Sequence, residues 1–153
     1  MNNISSLLVR HARGADAATI VGFNQAMAME TEALELLVPT VSAGVDAVLR
    51  DPAKGFYLLA EMEGRACGAL MVTSEWSDWR NGAIWWIQSV YVLPDARGRG
   101  VYRALHEKVV DMARNRGARG LRLYVEKSNG PAQNVYRCMG MARSGYLMFE
   151  QEL

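Results

Sequence analysis

The chain has 153 residues, half of them apolar and 22% charged, with a net charge of +1. That length suits one domain, residues 1–153, with a substantial core, and so small a net charge argues against a nucleic-acid protein held by bulk charge. No apolar run nears the roughly 20 residues a membrane helix needs, and Cys67 and Cys138, far apart and in no metal-like spacing, read as the reduced thiols of a cytoplasmic protein that holds no metal.

Met1-Asn2-Asn3-Ile4 has no basic stretch leading into an apolar signal core. Residues 6–11 predict a first strand. Asp16 then caps a helix over residues 17–36, with Ile20, Phe23, Met27, Thr31 and Leu34 on one face. Pro39 interrupts, and a second helix turns Val41, Val45, Val48 and Leu49 inward until Asp51-Pro52 ends it. Residues 55–61 and 66–73 read as a hairpin turning at Glu63-Gly64. Residues 76–82 read as a polar loop carrying Trp76 and Trp79. Residues 83–92 form the longest strand. It is apolar on both faces and therefore central, with Ile84, Trp86, Val90 and Val92 of one parity and Trp85, Ile87 and Tyr91 of the other. Gln88 and Ser89 are its one polar interruption. A helix from Val101 to about residue 116 buries Val101, Leu105, Val109 and Met112 and closes at Gly117. Residues 121–126 are a strand; strand, helix and strand at this length imply a parallel pair. A short helix over residues 132–139 follows Gly130-Pro131, and residues 146–153 predict a last strand. The fold class is α/β (α+β), a mixed central sheet with about four helices in the order β-α-α-β-β-β-α-β-α-β.

The link between the central strand and the long helix carries the chemistry: Pro94-Asp95-Ala96-Arg97-Gly98-Arg99-Gly100. Pro94 stops the strand. Gly98 and Gly100 permit a tight turn and a close approach to a ligand. A helix that starts there aims unpaired N–H groups and the positive end of its dipole at one point, where a phosphate is the natural guest. Arg97, Arg99 and Arg103 add positive charge around it. The turn lacks the Lys-Ser/Thr of a nucleotide-triphosphate loop and the spacing of a dinucleotide fingerprint.

Arg97-Gly98-Arg99-Gly100-Val101-Tyr102, after a strand ending Val92-Leu93-Pro94, resembles the pyrophosphate loop of the GNAT acetyltransferases, with Tyr102 in place of a small residue. Asn129-Gly130-Pro131-Ala132-Gln133-Asn134-Val135-Tyr136-Arg137-Cys138-Met139-Gly140-Met141 is similar to the family's second signature, with Met141 for the usual Phe. Two motifs in the right elements are far stronger than either alone, and the order of elements agrees with that family over nearly the whole chain. The resemblance implies acetyl-CoA as cosubstrate. Its pantetheine arm would lie along Val90, Tyr91 and Val92, bonded to the backbone of Val90 and Val92. Its diphosphate would take the N–H groups of Arg97, Gly98, Arg99, Gly100, Val101 and Tyr102. Asn129 and Asn134 would line the arm, and Tyr136 would sit near the sulfur as proton donor. Tyr102 could narrow the entrance. The implied reaction is direct transfer of acetyl to a primary amine of a small molecule, with a protein or peptide amine, or a non-catalytic acyl-CoA sensor, as alternatives.

The base stays open. Some members of that family use a central-strand Glu; Gln88 and Ser89 stand here and neither is a base. Glu30, Glu32, Glu75 and Asp78 remain, directly or through water. Met27, Met29, Glu30, Trp76, Asp78, Trp79, Trp85 and Gln88 could build an acceptor pocket with an aromatic wall and a carboxylate, suited to a small cationic amine. Plainer readings stand beside these. Trp85 and Trp86 flank one another on opposite faces, so at least one is core. Asn129 also reads as a helix-leading turn residue. Glu30 and Glu32 also read as solvated helix residues. Cys138 reads as a buried thiol, and His11 and His106 as structural or surface groups. A homodimer is compatible with the fold.

Overall fold

The computed structural model describes residues 6–153, so residues 1–4, with the reading of their signal content, lie outside it. Residues up to Leu123 form one compact unit and Tyr124–Leu153 a second.

The first unit is a five-stranded sheet in sequential order, β1 (Leu7–His11), β2 (Phe56–Met62), β3 (Arg65–Ser77), β4 (Gly82–Val92) and β5 (Gly120–Arg122). β1 to β4 are antiparallel; β5 is parallel to β4. The β2–β3 turn has both central residues at positive φ, Glu63 at 54° and Gly64 at 78°, the backbone that matches strand twist in a two-residue hairpin. A parallel strand cannot follow by hairpin, and α3 (Val101–Asn115) makes the crossover from β4 to β5.

Alternation along β2 sorts the core. Leu58, Ala60 and Met62 join Leu105 and Val109 of α3, whereas Tyr57 and Leu59 join Ile20 and Phe23 of α1 (Ala17–Glu32) and Val45 of α2 (Val38–Arg50). The sheet is therefore covered on both faces, and each fully buried Leu or Ile contributes about 1.5–3 kcal/mol. Several expectations shift. α1 stops at Glu32 because Ala33 turns left-handed, with the Ala33 and Leu34 N–H groups bonding back to Met29 and Ala28. Its buried residues are Ile20, Phe23, Asn24 and Ala28, and Thr31 and Leu34 are exposed. Pro39 sits in the first turn of α2, where its missing N–H is no loss. On α3, Ala113 and His106 are buried and Met112 only half-buried. β3 runs on to Ser77, with Trp76 opposite Ala83, so the expected loop shrinks to residues 78–81.

β4 breaks its own alternation. Ser89 has φ 50°, and the register steps from Met71 opposite Gln88 to Ala69 opposite Tyr91, so Ser89 and Val90 face Leu70 together. This is a bulge. It corrects the expected parity: Trp85, Ile87, Val90 and Val92 share the α3 side, while Tyr91 packs with Phe23 on the α1 side.

The second unit contains α4 (Gly130–Cys138). Residues 146–153 carry no ladder and are exposed, so the expected last strand is not formed among the described residues. β propensity there is real, but a strand exists only through its partner.

Candidate cofactor and acceptor site

The β4–β5 ladder ends at Trp86 opposite Arg122, yet β4 continues to Val92. The Leu93 N–H donates to the Cys67 carbonyl at 2.8 Å. Backbone groups alternate sides along a strand, so those of Val92, and of Val90 by the same alternation, point away from β3, toward the side that β5 has left. Beyond Trp86 that edge of β4 makes no ladder with β5.

The chain then makes a 3₁₀ turn over Pro94–Ala96, anchored by buried Ala96. Gly98 and Gly100 follow at φ 73° and 82°, conformations that favour glycine. A Cβ built at either would meet no atom within 4 Å, so open space lies above both. Gly100 is the N-cap of α3 and no side chain caps the helix. The first bond back to Gly100 comes from the Ala104 N–H, at 3.0 Å. The N–H groups of Val101, Tyr102 and Arg103 precede it at the positive end of the helix dipole, a geometry suited to an anion. The Tyr102 hydroxyl lies 3.0 Å from His106 Nδ1, one turn further on. Its ring therefore leans along α3, away from those N–H groups. His106 is buried, and burial holds its imidazole pKa below the usual range.

The three arginines do not act alike. Arg103 lies 3.8 Å from Glu107 on its own helix. Arg99 has no carboxylate within 4 Å among the described residues, and with Arg65 and Asp95 it borders a surface cavity of about 230 Å³. Arg97 folds back: Nε donates to the Val92 carbonyl at 2.9 Å and a terminal nitrogen to Glu30 Oε2 at 2.7 Å. Glu30 Oε1 accepts the Tyr91 hydroxyl at 2.9 Å. The Arg97 guanidinium, then the Tyr91 hydroxyl, hold the Glu30 carboxyl below the usual carboxylate range. Burial, then Glu30, pushes the Tyr91 phenol up.

The acceptor candidates do not converge on one pocket. Trp85 is 6% exposed, edge-on to Phe56 at 5.5 Å in the α3-side core. Trp76, 66% exposed, and Trp79, 92% exposed, stand with Asp78 at the end of the β3–β4 hairpin. From Gly82 to the bulge at Ser89 the strand runs about 23 Å. Asp78 accepts the Trp79 N–H, and Glu75 accepts Arg122. Glu32 is exposed at the end of α1. Gln88, half-buried beside the bulge, donates to Thr73 Oγ1 at 2.7 Å. Met27 is half-buried and Met29 exposed on α1.

In the second unit Asn129 caps α4, its Oδ1 accepting the Ala132 N–H at 3.2 Å, and exposed Asn134 accepts Arg137 at 3.1 Å. Tyr136 is half-buried and burial pushes its phenol up. Cys138 is exposed, against expectation; Cys67 is the buried thiol. The residues missed from sequence are Gly68, Ser89 as a bulge and Tyr91 as a donor. Gly68 left a trace, since glycine inside a strand marks close backbone approach.

Comparison with known proteins bears on the family and the fold. The family model described as "Acetyltransferase (GNAT) family" matches residues 23–141. A streptothricin acetyltransferase of Streptomyces lavendulae is 44% identical over 59 residues, 39% of this chain and 31% of that protein, so the match spans about a third of that relative. A thialysine N-epsilon-acetyltransferase of Mus musculus is 28% identical over 168 residues, covering 97% of this chain and 94% of its own. The crystal structure of a possible acetyltransferase from Clostridium difficile 630 superposes with a TM-score of 0.89 at 38% identity, over 96% of this chain and 97% of the other. The chain belongs to the GNAT acetyltransferase family, whose members use acetyl-CoA.

Proposed function

We propose that residues 1–153 act as one N-acetyltransferase domain that moves the acetyl group of acetyl-CoA directly onto a primary amine of a small molecule. The observation that carries this reading is the bulged β4 edge, left by β5 at Trp86 and leading straight into the uncapped glycine turn. An extended arm with amide groups fits the outward groups of Val90 and the Val92 N–H, the Val92 carbonyl already accepting Arg97 Nε, and a diphosphate fits the N–H groups from Gly98 to Tyr102, that of Arg97 donating to the Pro94 carbonyl at 3.4 Å. A thioester held beside an amine gains from proximity. The amine nitrogen bonds to the acetyl carbon, the C–S bond breaks, and the thiolate takes a proton. The Val90 N–H is the candidate donor to the developing oxyanion. Tyr136 carries the proton-donor role by resemblance; a phenol pushed up by burial stays protonated near neutrality.

The acceptor ammonium, with a pKa of about 10, must lose its proton before attack. Both oxygens of Glu30 are engaged, by Arg97 and by the Tyr91 hydroxyl, so the proton is passed through water to bulk solvent. Free amines are the acceptors favoured here because two relatives are named for streptothricin and thialysine. Thiol release from acetyl-CoA, followed across a panel of small amines and peptides, tests the reading. Release with small cationic amines supports it. Release with peptides alone moves the acceptor to proteins, and CoA binding without release with any acceptor makes the chain a sensor.

A further inference from the structure

Glu30 stands in the last turn of α1, Arg97 at the start of the glycine turn, and Tyr91 near the end of β4. Arg97 and Tyr91 both close on the Glu30 carboxylate, at 2.7 Å for Arg97 and 2.9 Å for the Tyr91 hydroxyl. The guanidinium carbon of Arg97 also lies 5.5 Å from the centre of the Tyr91 ring, and its Nε is committed to the Val92 carbonyl. Both oxygens of Glu30 are thus engaged by donors that favour the charged form. Arg97 is the last anchored side chain before Gly98 and Gly100, the residue type with the greatest backbone freedom. A turn with two glycines needs its geometry imposed from outside, and ordering it in advance lowers the cost of binding.

We propose that Glu30 is a positioning residue for the phosphate turn: it holds Arg97 as a strut across Tyr91, and the strut sets where the N–H groups after Arg97 point. The inference rests on the reading of that turn as the diphosphate site. Arg97 then serves as a brace and not as a phosphate ligand, and Glu30 takes no part in proton transfer. The pair is 48% and 40% exposed, so it adds little to global stability. Its effect belongs in ligand affinity.

The test uses Glu30→Gln, Glu30→Ala, Arg97→Ala and the Glu30→Ala/Arg97→Ala double variant, with CoA binding by calorimetry and initial rates against acetyl-CoA. Each single alanine variant is expected to melt with the parent and to weaken CoA binding about threefold to tenfold, the size of a half-exposed charge-assisted pair. The double variant loses no more than the Arg97 single, because the two act as one unit. Turnover at saturating acetyl-CoA stays within about twofold, and Glu30→Gln leaves the pH–rate profile unchanged. A large fall in turnover for Glu30→Gln, with the acid limb of the profile lost and KM unchanged, would make Glu30 the base and overturn the proposal. CoA binding equal to the parent in every variant overturns it too, while leaving the diphosphate reading intact. Absence of CoA binding in the parent protein overturns both.

Discussion

Gly68 lies directly beneath Val101: a Cβ built on Gly68 would sit 2.9 Å from Val101 Cγ1 and 3.0 Å from the Tyr91 carbonyl. β3 is thereby pressed against the first residue of the helix that presents the N–H groups. Gly68→Ala forces that turn of α3 outward, with a cost of about 1–3 kcal/mol for overpacking. The expected outcome is a lower melting temperature together with weaker CoA binding. Adding Val101→Ala to Gly68→Ala should return part of both. A variant as stable and as tight as the parent would mean that the contact does not set the helix start.

What could be read from sequence were the local signals. Pro94, Gly98 and Gly100 mark the end of a strand and the start of a helix within one short stretch, and Val101, Leu105 and Val109 lie on the buried side of α3 as their spacing requires. The bulge could not be read, because Ser89 and Val90 oppose Leu70 only once β3 and β4 are paired. The same non-local pairing inverted the expected faces of Val90 and Val92. Glu30 shows the limit most plainly. Its partner Arg97 is 67 positions away, and nothing near Glu30 distinguishes a strut from a solvated helix carboxylate. Trp76 and Trp79 sit close to the central strand in sequence, but the length of the hairpin carries them far from the bulge.

Tyr136→Phe keeps the ring and removes the hydroxyl. If the phenol protonates the departing thiolate, turnover falls by about a hundredfold or more, within the usual range for a general acid. CoA affinity should hold within about twofold, since the ring still packs. Steady-state rates and calorimetry separate the two effects, and unchanged turnover would remove Tyr136 from the mechanism.

Ala33 ends α1 with φ 51° and ψ 34°, a left-handed conformation that costs a residue with a Cβ about 1 kcal/mol. Ala33→Gly removes that cost, at the expense of a more flexible unfolded chain. The net expectation is a gain of about 0.5 kcal/mol, seen as a higher urea midpoint with an unchanged slope. Ala33→Val should move the midpoint the other way, because a β-branched residue tolerates this conformation least.

Arg10 joins β1 to two carboxylates, donating to both oxygens of Asp16 at 2.8 and 3.0 Å and to Glu61 at 2.6 Å. Asp16 also accepts the Arg13 N–H at 2.7 Å. The bonds from Arg10, ahead of that from Arg13, hold the Asp16 carboxyl below its ordinary value of 3.8. A carboxyl depressed in the folded state binds fewer protons there than in the unfolded chain. Its stabilisation is therefore complete well above pH 4 and is lost as the pH falls through the folded-state value. Asp16 is only 14% exposed and Arg10 25%, so solvent screening is modest, and Asp16→Asn should cost about 1–3 kcal/mol at pH 7. Urea midpoints of the parent and Asp16→Asn should differ at pH 7 and converge as the pH falls below about 4. A difference that persisted at low pH would assign the effect to packing or to the helix start, and not to the ion pair.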